Sequence, residues 1–314
     1  MIRALEQLQK TIGGVLVGKE ALVENIMIAL ICRGHILMED VPGTGKTMLA
    51  KALAKSIKGT FRRIQFTPDI LPSDITGINF FNPKTQQFET RPGPVMTHIL
   101  LADEINRATP RAQSSLLEVM EERQVTIEGR TLPVPKPFIV IATQNPIESS
   151  GTFALPEAQM DRFFMRLHTG YPSLAEEKRM IRLYREQDPL EHLEPVFTLE
   201  TILELQAKVR EIRLDESVED YLLRIIQATR THEWTASGVS PRGTLALMRG
   251  AQARAFLNSR DYVVPEDIKA VAPYILPHRL VLSMDGELHT TKEKLIADLL
   301  DKVDVPVESG ARRQ

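Results

Sequence analysis

Apolar residues first recur at helical spacing as Leu5, Leu8 and Ile12, until Gly13-Gly14 interrupts the pattern. The stretch VLVGKEALVENIMIALICRG then predicts a short extended piece, a glycine turn and a helix closed by Gly34. HILM (35–38) is a short apolar strand, and Thr47 to Ser56 continues as a helix with Leu49, Leu53 and Ile57 on one face. RRIQF (62–66), HILLA (98–102), FIVIA (138–142) and FFMRLHT (163–169) are further strand candidates. The continuous apolar runs at 98–102 and 138–142 suit strands covered on both faces of a parallel sheet. With helices between them, residues 1–170 predict a doubly wound α/β domain.

Two excursions interrupt that alternation. Residues 78–95 carry turn chemistry at Asn82-Pro83, and residues 124–134 alternate around Glu128-Gly129, so both read as β-hairpins. They are either decorated surface loops or working tips on a rigid scaffold. After GYPS (170–173) the spacing turns helical. Six 3.6-period segments, with a helix start at Pro265-Glu266-Asp267, predict an all-α domain over 171–303. Residues 304–314, ending in VESGARRQ, are expected to form a flexible tail.

Composition narrows the class of protein. The 314 residues are 43% hydrophobic and 25% charged, ordinary for a globular chain with a sizeable core. The formal charge of −2 argues against a protein whose main task is to coat nucleic acid or an anionic membrane. Cys32 is the only cysteine, which excludes an intramolecular disulfide and a cysteine metal cluster, and its apolar neighbours predict a buried structural thiol. The first residues hold no apolar core of signal-peptide length, and no run of roughly 18 apolar residues exists. The chain is therefore not expected to be an integral membrane protein, and the cytoplasm is the expected compartment.

The chemistry concentrates in a few motifs. EDVPGTGKTMLA (39–50) sits between an apolar strand and a helix, the context a phosphate-binding loop needs. Gly43 and Gly45 let backbone N–H groups turn toward phosphate oxygens, Lys46 would reach the β- and γ-phosphates, and Thr47 would offer its hydroxyl to Mg²⁺. Asp40 stands where the usual pattern has its first glycine. It is expected either to cap the loop or to stiffen its start, with little effect on nucleotide affinity if replaced by Gly. HILLADE ends a buried strand in Asp103-Glu104, placing one carboxylate to hold Mg²⁺ and the next to polarise an attacking water. Asn145, just past FIVIATQ, offers a neutral amide to the γ-phosphate and the water. Arg162 and Arg242 could stabilise charge on a transferring phosphoryl group, although an arginine taken alone is more commonly a surface ion pair.

Taken together, VLVGKE, LMEDVPGTGKT, RIQFTPDILPSDITG, the long run from ETRPGPV to VTIEG, FIVIATQNPIESSGTFALPEAQMDRF and GVSPRGTLALMRGAQARAFL resemble the MoxR-type AAA+ ATPases over roughly residues 10–260. The resemblance implies a five-stranded parallel sheet of order 5-1-4-3-2, a helical lid, ATP with Mg²⁺ between them, and a ring, commonly a hexamer. It makes Gly43, Thr44, Gly45, Lys46 and Thr47 the Walker A loop, with Met48 beside it, and Asp103 and Glu104 Walker B. It also makes Asn145 sensor 1, Arg242 sensor 2 and Arg162 the arginine finger acting on a neighbour's ATP, and it puts Val17 and Gly18 near the adenine. The two hairpins match the helix-2 and pre-sensor-1 inserts. Proteins of this type resemble chaperones that mature other proteins, often by helping a metal or cofactor enter, and often with partners carrying a von Willebrand factor A domain. Gln65 is then either a switch holding Glu104 back until a client binds or a satisfied edge-strand amide. A nucleic-acid-directed motor and a nucleotide-gated scaffold are the alternatives, although no stable nucleic-acid binding is expected.

Overall fold

The computed structural model describes residues 2–40, 43–145, 151–186 and 188–306. Val41 and Pro42 of the glycine-rich loop and residues 307–314 of the expected tail lie outside the described residues. The chain divides into two compact units, Met1–Gln206 and Ala207–Gln314.

The first unit opens with helices α1 (Ile2–Val15) and α2 (Glu20–Ile31), strand β1 (Ile36–Glu39), helix α3 (Lys46–Ser56) and strand β2 (Phe61–Gln65). A short helix α4 (Pro72–Thr76) leads into a hairpin of β3 (Gly77–Asn82) and β4 (Gln87–Pro92). Strand β5 (Ile99–Asp103), helix α5 (Pro110–Glu122), the hairpin β6 (Gln124–Ile127) and β7 (Arg130–Pro133), and strand β8 (Ile139–Gln144) follow. Helix α6 (Glu157–Met160), strand β9 (Met165–Leu167), helix α7 (Leu174–Glu186) and helix α8 (Leu199–Lys208) complete this part of the chain.

Five strands form one parallel sheet in the spatial order β2-β5-β8-β1-β9. Numbered among themselves and read from the other edge, these are strands 5-1-4-3-2, the expected order. Ile99, Leu100, Leu101 and Ala102 of β5 and Ile139 to Ala142 of β8 are fully buried, as central strands covered on both faces require. At the edge, Ile64 of β2 is turned inward, while Arg63 and Gln65 are exposed on its other face. Charged side chains on an edge strand also oppose pairing with a foreign strand.

One expectation fails at the start of the chain. Helix α1 does not stop at Gly13-Gly14 but runs to Val15, and the expected extended piece is its last turn and the turn that follows. Leu8, Ile12, Val15 and Leu16 are all buried, so the apolar stripe continues past the glycines. Burying two further aliphatic side chains outweighs about 1 kcal/mol lost per helical glycine. Cys32, expected to be buried, is half-buried at the C-cap of α2.

The boundary between units, at 206/207, falls later than the expected 170/171. The intervening segment is tied to the α/β layer by polar contacts. Lys55 Nζ donates to the carbonyls of Leu190 and Glu191 at 2.9 and 2.7 Å, Val196 N to Ser56 O at 2.8 Å, and Gln206 Nε2 to Leu30 O at 2.8 Å.

The second unit holds α9 (Glu216–Thr231), α10 (Pro241–Leu257), α11 (Pro265–Ile275), α12 (Met284–His289) and α13 (Lys292–Lys302). The all-α expectation misses a small antiparallel ribbon of β10 (Thr235–Ser237) and β11 (Val281–Leu282), too short to leave a periodic signal. Helix α11 begins at Pro265 as expected. Asp267 there accepts from Val264 N at 3.0 Å and from both terminal nitrogens of Arg260 at 2.6 and 2.7 Å, although it is almost completely buried.

Candidate functional site

A cleft of about 440 Å³ opens at the C-terminal ends of β1, β5 and β8, where ligands of open α/β sheets bind. Its wall is made by Asp40, Gly43 to Met48, Lys51, Arg63, Gln65, Asp103, Glu104 and Thr143 to Asn145, all from the first unit.

The loop side follows from local backbone chemistry. Gly43 and Gly45 have φ of 84° and 87°, left-handed values that a side chain would strain, and Gly45 is the N-cap of α3. The first N–H groups of an eleven-residue helix therefore face the cleft, where anions are favoured. Lys46 Nζ donates to Asp40 O at 2.9 Å. Partial burial holds its ammonium below the usual lysine range, offset by the carboxylates of Asp40, Asp103 and Glu104. The Asp40 carboxylate, buried at 7% exposure, accepts from Thr169 N at 2.7 Å and Gly170 N at 3.1 Å. It is thus neither a bare cap nor a stiffener alone, but ties the start of the loop to the turn after β9.

On the opposite side Asp103 ends β5 and Glu104 follows with φ 56°, in the left-handed region. That conformation costs a non-glycine residue on the order of 1 kcal/mol and turns the chain sharply at the sheet edge. Thr143 on β8 holds both residues, since its hydroxyl donates to Asp103 Oδ1 at 2.6 Å and accepts from Glu104 N at 2.9 Å. Arg63 donates to Asp103 Oδ2 from Nη2 and Nε at 2.6 and 3.2 Å, and from Nη2 to Gln65 Oε1 at 2.7 Å. Gln65 Nε2 donates to Glu104 Oε2 at 2.8 Å, and Arg107 Nη1 lies 3.2 Å from the same oxygen. The Gln65 amide is thus satisfied on both sides and bonded directly to Glu104, which fits either of its two readings.

The cleft brings together Gly43, Thr44, Gly45, Lys46, Thr47, Met48, Asp103, Glu104 and Asn145. It does not include Val17 and Gly18, which lie near the turn after β9. A Cβ on Gly18 would come within 1.8 Å of Glu176 Oε1, and neighbouring Lys19 donates to Thr169 O at 2.7 Å. Arg162 is exposed just after α6, with Nε 3.4 Å from Glu121 Oε2 and outside its own chain's cleft. Arg242 is exposed in the first turn of α10 in the second unit. Sequence reasoning missed Thr143, Gln144, Lys51 and Arg63. A polar residue ending the apolar run of β8, and Arg63 two positions before Gln65 on the same face of β2, were the signals available.

Thr47 and Asp103 offer a hydroxyl and a carboxylate, hard oxygen donors suited to Mg²⁺, and Asp103 already draws a guanidinium to itself. Among the described residues no cluster of three or more His, Cys, Asp or Glu could cage a metal. Among the described residues no helix is long and apolar enough to cross a membrane.

Comparison with known proteins agrees with this geometry. The model of the ATPase family associated with various cellular activities (AAA) matches residues 35–165, and that of the AAA lid domain matches 227–299. The chain is 50% identical over 303 residues to the uncharacterized protein YeaC of Bacillus subtilis, covering 96% of this chain and 95% of that one. It is 40% identical over 323 residues to the chaperone MoxR1 of Mycobacterium tuberculosis, covering 100% of this chain and 85% of that one. A crystal structure of a candidate ATPase from Cytophaga hutchinsonii superposes with a TM-score of 0.91 at 38% identity, covering 98% of this chain and 96% of that one.

Proposed function

This chain belongs to the MoxR-type AAA+ ATPases, and on that premise we propose that it hydrolyses ATP with Mg²⁺ in a ring and uses the energy to remodel or mature a protein client. The observation that carries the reading is one cleft joining Lys46 at a helix N-terminus, Asp103 and Glu104 at a strand end, and Asn145 beyond the next strand.

In this reading the backbone of Gly43, Thr44, Gly45 and Met48 cradles the β- and γ-phosphates, and Lys46 neutralises them. Thr47 and Asp103 hold Mg²⁺, which offsets phosphate charge when bound. Glu104 orients the attacking water and takes up its proton, while Asn145 hydrogen-bonds water and γ-phosphate without adding negative charge. Gln65 restrains Glu104 until the client engages. Arg162 acts on the γ-phosphate of the adjacent subunit, an assignment supported by its position outside its own cleft. Arg242 keeps the sensor 2 role that its match to the family implies, and Val17 and Gly18 the role near the adenine. The two hairpins present client-facing tips. That of β3 and β4 carries exposed Phe80, Phe81 and Phe88. A von Willebrand factor A domain partner and metal or cofactor insertion are the specific client chemistry proposed, with the cytoplasm as the compartment.

Subunit mixing tests the ring. ATPase activity per subunit should rise with protein concentration, and adding Arg162→Ala subunits should depress it below simple dilution. A monomer with full, concentration-independent activity, indifferent to added Arg162→Ala chains, would overturn the shared site.

A further inference from the structure

Asp103, Arg63, Gln65 and Glu104 form a single chain of contacts along the cleft wall. The donor and acceptor chemistry allows only one orientation of its middle link. Arg63 can only donate, so the Gln65 carbonyl oxygen must face it, and an ionised Glu104 can only accept, so the Gln65 amide nitrogen must face that side. Arg63 thus holds Asp103 directly and fixes the amide that holds Glu104. Its side chain is 46% exposed and comes from the edge strand, so it can leave without disturbing the core.

We propose that Arg63 is a positioning residue that occupies the cation locus of the cleft before nucleotide arrives, and that Mg²⁺ displaces it from Asp103 and thereby loosens Gln65 from Glu104. This rests on the Mg²⁺–ATP reading of the cleft. A guanidinium held at 2.6 Å from Asp103 and a dication drawn to the same carboxylate repel one another at close range, so the two cations compete. Metal occupancy at Asp103 and the readiness of Glu104 become one event, transmitted through one amide. A nucleotide bound without metal leaves both links in place, and the complete substrate loosens the Gln65 link so that the client can complete the release of Glu104.

The test measures binding rather than turnover. MgCl₂ is titrated into the full chain holding methylanthraniloyl-ADP, for the parent, Arg63→Ala and Arg63→Lys, with thermal unfolding confirming that each is folded. Removing an exposed competing ion pair should lower the Mg²⁺ half-saturation about two- to fivefold in Arg63→Ala, with Arg63→Lys between it and the parent. Nucleotide affinity in EDTA should move less than the Mg²⁺ half-saturation does. In parallel, the Gln65 side-chain amide resonances of metal-free Arg63→Ala should resemble those of the Mg²⁺-loaded parent. A half-saturation that is unchanged or raised in folded Arg63→Ala overturns the proposal while leaving the nucleotide site intact. A parent that binds no Mg²⁺–nucleotide at all overturns both.

Discussion

Asp103 and Glu104 are adjacent carboxylates in one cleft, yet different partners hold them: Arg63 the first, Gln65 and Arg107 the second, with Thr143 between. Their positions were legible because an apolar run ending in two acids has a recognisable pattern. Their partners were not, since Arg63 and Thr143 arrive from other strands and only the sheet order brings them together. The partners of Asp40 were hidden for the same reason, because its two N–H donors lie some 130 positions away in sequence. His35 shows what a buried polar residue contributes at this scale. Its ring lies within hydrogen-bond distance of Met120 O and accepts from Val140 N, so the neutral form satisfies both contacts. Burial, with Arg123 nearby, lowers its pKa to about 3. The unfolded chain, titrating near 6.5, takes up the proton first, so stability is complete above that pH and declines as pH falls toward about 3. Between pH 6.5 and 5 the parent should lose roughly 2 kcal/mol more than His35→Gln, whose amide can still serve both backbone groups. Urea midpoints followed by far-UV circular dichroism at both pH values check this, and equal pH slopes would contradict it.

At the scale of elements, helical period located the long helices, continuous apolar runs the central strands, and turn residues the two hairpins. The glycine pair misplaced the end of α1, where tertiary burial of Val15 and Leu16 overrides two glycines. Local pattern also missed β10 and β11, whose pairing is set by the surrounding chain rather than by their own few residues. The two hairpins are also joined, with Asn79 Nδ2 donating to Glu128 Oε2 at 2.9 Å, a link no local pattern discloses. In the second unit α11 is anchored through Asp267, bonded to Arg260 and capping its own helix start. Asp267→Ala leaves that arginine without its carboxylate and should cost about 3 kcal/mol. Trp234, the chain's single tryptophan, lies in this unit, so its fluorescence during denaturant unfolding reports the loss. A change of a few tenths of a kcal/mol would show that the pair is not structural.

At the scale of the whole molecule, composition shifts set the expected boundary at 170/171, but hydrogen bonds tie residues 190–206 to the α/β layer. Helical spacing says how a segment folds and not which layer it joins, so only the packed structure separates the units. The cleft is lined by residues of the first unit, and its two acids already sit in one hydrogen-bonded frame with the lysine-bearing loop opposite. Glu104 is the residue on which the proposed activity depends. The most direct measurement compares Glu104→Gln with the parent, reading Mg²⁺–ATP binding and steady-state phosphate release on the same preparations. The account predicts binding like the parent's and turnover lower by about a hundredfold or more. Phosphate release at the parental rate would contradict it.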